Sequence, residues 1–99
     1  MDSLAPIADL IDNETEEQAA ARLNALDHPA LHRHLAALRR TAERQGLRFS
    51  KSKMRDPRGL DFMGYRITDA RGKLVIARDA QGYLPSLVTV ERYLLRRER

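Results

Sequence analysis

The apolar positions of the chain change period along its length. From Ser3 to Asp12, Leu4, Ile7, Leu10 and Ile11 recur at helical spacing, with Pro6 in a first turn, where its missing N–H costs nothing. Asp12-Asn13-Glu14 breaks that run. Thr15-Glu16-Glu17-Gln18 has the form of a capping box, with Thr15 capping and Gln18 reaching back, and Ala19 to Leu26 continues as helix. Asp27 is a good N-cap for the next helix, with Pro29 tolerated in its first turn. Leu31, Leu35, Leu38 and Ala42 then form one apolar stripe, and Gly46 supplies a left-handed stop. The stripe is too short for an independent coiled coil. It reads as core, with a homodimer seam as the other use of such a stripe.

Beyond Gly46 the period falls to two. Leu47 and Phe49 alternate with Arg48 and Ser50, which predicts a first strand over Leu47 to Lys53. Asp56-Pro57 and Gly59 mark a loop. Met63, Tyr65 and Ile67 alternate with Gly64 and Arg66 and predict a second strand. Asp69-Ala70-Arg71-Gly72 is a turn, and Lys73 to Arg78, rich in Leu, Val and Ile, predicts a third strand that pairs with the second as a hairpin. After a loop over Asp79 to Pro85, Ser86 caps a final helix with Leu87, Val90, Tyr93 and Leu94 inward.

The expected fold is α+β in the order α-α-β-β-β-α: N-terminal helices, a three-stranded antiparallel sheet and a C-terminal helix. Phe49, Met63, Tyr65, Ile67 and Val75, or its neighbours Leu74 and Ile76, would face the helices. Residues 1–14 read as an acidic N-terminal segment with a short helix, and residues 15–99 as a single α+β domain. Three strands followed by a helix is also the outline of some sheet-type DNA readers, such as integrase arm-binding domains, an analogy of fold alone.

Composition narrows the function classes. A chain of 99 residues builds one modest core, too small for a large active-site cavity. It has no Cys, which excludes thiol chemistry, disulfides and Cys-based zinc sites. Met1-Asp2-Ser3-Leu4 lacks the charged-then-apolar pattern of an export signal, and no apolar run approaches membrane-spanning length, so a cytoplasmic protein without membrane contact is expected. The 15 Arg against 3 Lys, beside many Ala, reflect a GC-rich coding bias as readily as a function. The distribution of charge says more. Residues 1–21 carry −6, residues 22–60 carry +7 and residues 61–99 carry +3. An acidic arm precedes a basic body.

The densest cations lie in Leu47 to Arg58. Arg48, Lys51, Lys53, Arg55 and Arg58 stand there against the single acid Asp56, and Ser50 and Ser52 add small donors. Clustered cations with hydroxyl donors are what phosphate contacts require. Arg33, Arg39, Arg40 and Arg44 on the preceding helix could extend the same surface, with Arg40 and Arg44, one turn apart, next to the start of the strand. Basic residues also protect an edge strand from aggregation, and arginines on a helix also serve as a solvated face. His28 and His32 have the i, i+4 spacing of paired metal ligands, but no third ligand accompanies them and His34 lies on another face, so surface histidines are expected and no metal or cofactor. Asp56, Asp69 and Asp79 suit turns better than catalysis, and no nucleophile–base pair is evident, so an enzyme is not expected.

Lys51-Ser52-Lys53-Met54-Arg55-Asp56-Pro57 resembles a segment of small actinobacterial and actinophage proteins. In those, a Gln-Gly-Leu helix end precedes a K-S-[R/K]-x-R-D-P run, and a Gly-Tyr strand, an Asp-containing turn and a short helix follow. Gln45-Gly46-Leu47, Gly64-Tyr65, Asp69, Val90-Glu91 and Tyr93-Leu94 fit that outline, over roughly the last half of the chain. The family has no established activity, so the resemblance implies a small accessory protein in an actinobacterial or mobile-element setting and transfers no catalytic residue. The functional expectation is a non-catalytic accessory or regulatory protein binding DNA or RNA through its basic strand and loop. The alternative is a protein–protein interaction module, an inhibitor or adaptor, using the acidic N-terminal helices.

Overall fold

The computed structural model describes residues 13–53, 56, 58–60 and 63–97. The helix expected over Ser3 to Asp12 lies outside them, as does Arg55. The order of elements is α1 (Glu16–Asn24), α2 (His28–Arg44), β1 (Arg48–Lys51), β2 (Tyr65–Thr68) and α3 (Leu87–Arg97).

The helix boundaries have local causes. At the start of α1 the Gln18 N–H donates to the Thr15 hydroxyl at 3.1 Å, and the Thr15 N–H donates to Gln18 Oε1 at 2.9 Å, a complete capping box. At the start of α2 the Asp27 carboxylate accepts from the Ala30 N–H at 2.8 Å, with Pro29 in the first turn. That helix ends where Gly46 takes φ +75°. The Leu47 N–H then reaches the Ala42 carbonyl at 2.8 Å and the Gly46 N–H reaches that of Glu43 at 3.0 Å, the paired bonds of a Schellman stop. In α3 the Ser86 hydroxyl accepts from the Thr89 N–H at 3.4 Å.

The sheet has two strands, not the three expected. β1 and β2 pair antiparallel, with Arg48 opposite Thr68, Phe49 opposite Ile67, Ser50 opposite Arg66 and Lys51 opposite Tyr65. The segment Lys73 to Arg78 touches β2 through one bridge, Leu74 to Thr68, with the Val75 N–H on the Ile67 carbonyl at 2.9 Å, and then bends away. The reason lies in the side chains. Val75 and Ile76 are consecutive and both pack against the core. A strand sends consecutive side chains to opposite faces, so burying both requires a bend. The analogy to three-stranded DNA readers falls with the third strand.

Met63, expected inside, is 59% exposed. It takes φ +58°, which breaks the alternation two residues before β2 begins.

The core is formed by Ala37, Leu38 and Ala42 of α2, Leu47, Phe49, Tyr65 and Ile67 of the ribbon, and Val90, Leu94 and Leu95 of α3. Leu38 is fully buried, whereas Leu35 packs at the margin and Leu31 is half-buried. Of the stripe expected as core, Leu38 and Ala42 are buried in it and Leu35 packs against it, while Leu31 stays outside that cluster. Two turns share one design ten residues apart, Asp69-Ala70-Arg71-Gly72-Lys73-Leu74 and Asp79-Ala80-Gln81-Gly82-Tyr83-Leu84. In each, the Asp N–H donates to the carbonyl four residues on at 2.9 Å, the Asp carboxylate accepts two backbone N–H groups, and the glycine has positive φ.

Candidate functional site

The register of the ribbon decides which cations meet. Residues directly opposite share a face, and so do residues two apart. Arg48, Ser50, Arg66 and Thr68 therefore lie on the outward face, and Phe49, Ile67 and Tyr65 on the buried inward one. The inward rings stack, with centroids 5.6 Å apart. Burial raises the Tyr65 phenol above its ordinary pKa, so it stays protonated. Arg48 and Arg66 are diagonal neighbours, a spacing of roughly 7–8 Å.

Lys51 belongs by alternation to the inward set, but it ends the strand and is exposed, as is Lys53 just beyond. Arg58 lies in the loop after them, at the opposite end of the ribbon from Arg48. Its guanidinium sits 3.5 Å from the Asp56 carboxylate, both exposed, which offsets part of its charge.

At the Arg48 end the turn adds Arg71 and Lys73, both exposed. The acid there, Asp69, is turned back onto the turn's own backbone, accepting from Arg71 N–H at 2.8 Å and Lys73 N–H at 3.0 Å. A groove of about 510 Å³ runs beside β1, lined by Arg39, Glu43, Gly46, Leu47, Arg48, Phe49 and Ala70.

Arg40 and Arg44 are exposed but do not line that groove. One residue step on a helix is about 100°, so Arg39 and Glu43 face the ribbon edge while Arg40 and Arg44 occupy another strip of α2. Arg44 donates to the Thr41 hydroxyl at 3.1 Å. The structure thus joins Arg48 to Arg39, Arg66, Arg71 and Lys73, places Lys51 and Lys53 at the far end, and sets Arg40 and Arg44 apart. Arg66 was legible in the alternation of Tyr65 and Ile67. Arg39 was among the helix arginines that could extend the patch, but only the crossing of helix and strand selects it over Arg40 and Arg44.

A second charged cluster lies inside the helical layer, and its residue types hid it. Glu91 is fully buried and His34 is 6% exposed. His34 Nε2 lies 2.6 Å from Glu91 Oε2. Arg22 donates through both terminal nitrogens to the same carboxylate, with Nη1 to Oε2 at 3.2 Å, and through Nε and Nη2 to Glu14 at 3.0 and 2.9 Å. His28 and His32 are exposed, as expected of the pair, and His34, on another face, is buried.

Burial alone would push the Glu91 carboxyl up, but the bonds from His34 and Arg22 outweigh it and hold it below the ordinary carboxylate value. The Arg22 bond lowers Glu14 as well, and the two carboxylates raise Arg22. The signal was the spacing. His34 lies three residues after Leu31 and four before Leu38, and Glu91 lies between Val90 and Leu94, each on an apolar stripe.

Among the described residues no three His, Asp or Glu side chains are placed to hold a metal. None of the described helices is long and apolar enough to cross a membrane. Comparison with known families, curated proteins and solved structures gives no match for this chain.

Proposed function

We propose that this chain is a small non-catalytic accessory or regulatory protein of the cytoplasm that binds nucleic acid through the basic face of its ribbon. The observation that carries the reading is the convergence of Arg48 and Arg66 on one exposed face, flanked by Arg71 and Lys73 at one end and Lys51 and Lys53 at the other. Two acids lie at that end: Asp69 bonds its own backbone, and Glu43 lines the groove beside Arg39 and Arg48. Phosphate contact needs such a local excess of cations beside small donors, here Ser50 and Thr68. The non-catalytic part is supported by the sealed position of the Glu91–His34 cluster, which a substrate would have to unpack the helices to reach.

The test is fluorescence anisotropy of labelled nucleic acid across a salt series. Lys51→Ala with Lys53→Ala weakens binding alike for all sequences and flattens the salt slope on duplex DNA by about 2 units. A folded wild-type protein that binds no nucleic acid at low salt, where screening is weakest, overturns the reading. The surface then to be considered is the acidic side of α1, where Glu16 and Glu17 are exposed, as the face for a protein partner.

A further inference from the structure

We infer that the nucleic acid this ribbon fits is B-form duplex DNA, taken in the major groove with Arg48 and Arg66 toward the base edges. The inference rests on the nucleic-acid reading above and narrows it. It begins from where the rings are. Proteins that hold unpaired bases stack them on exposed aromatic side chains of a sheet. Here the two rings of the ribbon, Phe49 and Tyr65, are buried and stacked on each other. The outward face offers no ring, so stacking of a splayed base there is left to the guanidinium planes of Arg48 and Arg66 alone.

What the outward face does offer is Arg48, Ser50, Arg66 and Thr68. These are side-chain types that read paired bases from the groove. Arginine bonds guanine O6 and N7 with two donors, and Ser and Thr bond several base edges. The dimensions agree. Strands of four residues span about 13 Å at roughly 3.3 Å per residue, and two lie about 5 Å apart. The B-form major groove, about 12 Å wide, admits a two-stranded ribbon, whereas that of duplex RNA is too deep and narrow for side chains to read. The end cations have a matching task. Lys51 and Lys53 at one end, with Arg71 and Lys73 at the other, bracket the ribbon along its length, as contacts to the phosphates bordering a groove require.

The experiment uses the full chain and three labelled probes of one sequence and length: duplex DNA, duplex RNA and single-stranded DNA. The expected result is binding to duplex DNA at least about tenfold tighter than to the others, and loss of that preference when bulky 5-substituted pyrimidines fill the major groove. Arg48→Ala and Arg66→Ala each lower duplex affinity by about tenfold at preferred sites and narrow the spread of affinities across a randomised duplex pool. Lys51→Ala with Lys53→Ala lowers all affinities together and leaves the spread intact. Circular dichroism confirms that each variant is folded. Equal or tighter binding of single strands or duplex RNA overturns the inference, as does undiminished binding to the groove-filled duplex, while both outcomes leave the nucleic-acid reading standing. Binding to no probe at low salt overturns both.

Discussion

Where the three helices meet, Glu91 and His34 are buried, and Arg22 ties Glu91 to Glu14 at hydrogen-bond distance. On the ribbon, Arg48 and Arg66 face water beside further cations. The same residue types thus meet opposite physical demands. Charges taken out of water must be matched by opposite charges and hydrogen bonds, since their desolvation costs several kcal/mol each. Charges left in water interact weakly with their neighbours, so an excess of one sign there costs the fold little. The interior cluster should therefore act on stability alone, and the ribbon on binding alone.

The largest effect falls on the interior. Glu91→Ala removes the acceptor shared by Arg22 and His34 and leaves both facing a void. The expected loss is about 3 kcal/mol, toward the lower end for a broken buried pair because Arg22 keeps Glu14. Denaturant titration measures it. A loss below about 1 kcal/mol would mean that the cluster contributes no more than a surface pair.

Acid acts on the same groups. The folded-state values of Glu91 and Glu14 both lie below the ordinary carboxylate value of 4.5. A depressed carboxylate stabilises the fold in full above its unfolded value, and that stability is lost as the pH falls through and below it. The wild-type protein should thus weaken steeply below about pH 4.5. Glu91→Gln should be less stable at neutral pH and show a shallower acid decline, read from denaturation midpoints across pH. An unchanged slope in that variant would assign the acid sensitivity to other carboxylates.

A smaller effect separates local from tertiary causes. Thr15→Ala removes one half of the capping box and should cost about 1 kcal/mol. The loss should appear as faster amide exchange over residues 16–22, with the ribbon unchanged.

These elements also mark what the sequence made legible. The capping box, the Asp27-Pro29 start and the Gly46 stop each have a cause within about four residues, so inspection of neighbours finds them. The third strand failed because Leu74-Val75-Ile76 announces burial but not how it is achieved. β-propensity mostly reports fitness for a half-buried surface, and here the core took Val75 and Ile76 together. His34 and Glu91 sat in plain apolar spacing, but theirs are residue types seldom fully buried unless paired. Their match comes from three separate helices, which no local window contains. For the site, alternation placed Arg48 outward and left Lys51 and Lys53 at the inner-face end. The partner of Ser50 was fixed only by strand register, and the choice of Arg39 over Arg40 only by the angle at which α2 passes the ribbon.

The smallest stability effect tests the comparison most directly. Arg48→Ala with Arg66→Ala removes two exposed guanidiniums from the outward face and leaves Phe49, Tyr65 and Ile67 in their stack. Exposed substitutions away from caps and core usually stay within about 0.5 kcal/mol. Removing two like charges from diagonal positions also relieves a weak repulsion. The double variant should therefore unfold at nearly the wild-type denaturant midpoint while its nucleic-acid affinity falls. If it instead loses more than about 1 kcal/mol, the arginines hold the ribbon itself, through their side-chain stems packing along it. The loss of binding would then follow from a loosened sheet, and the division between an interior that stabilises and a surface that binds would not hold for this molecule.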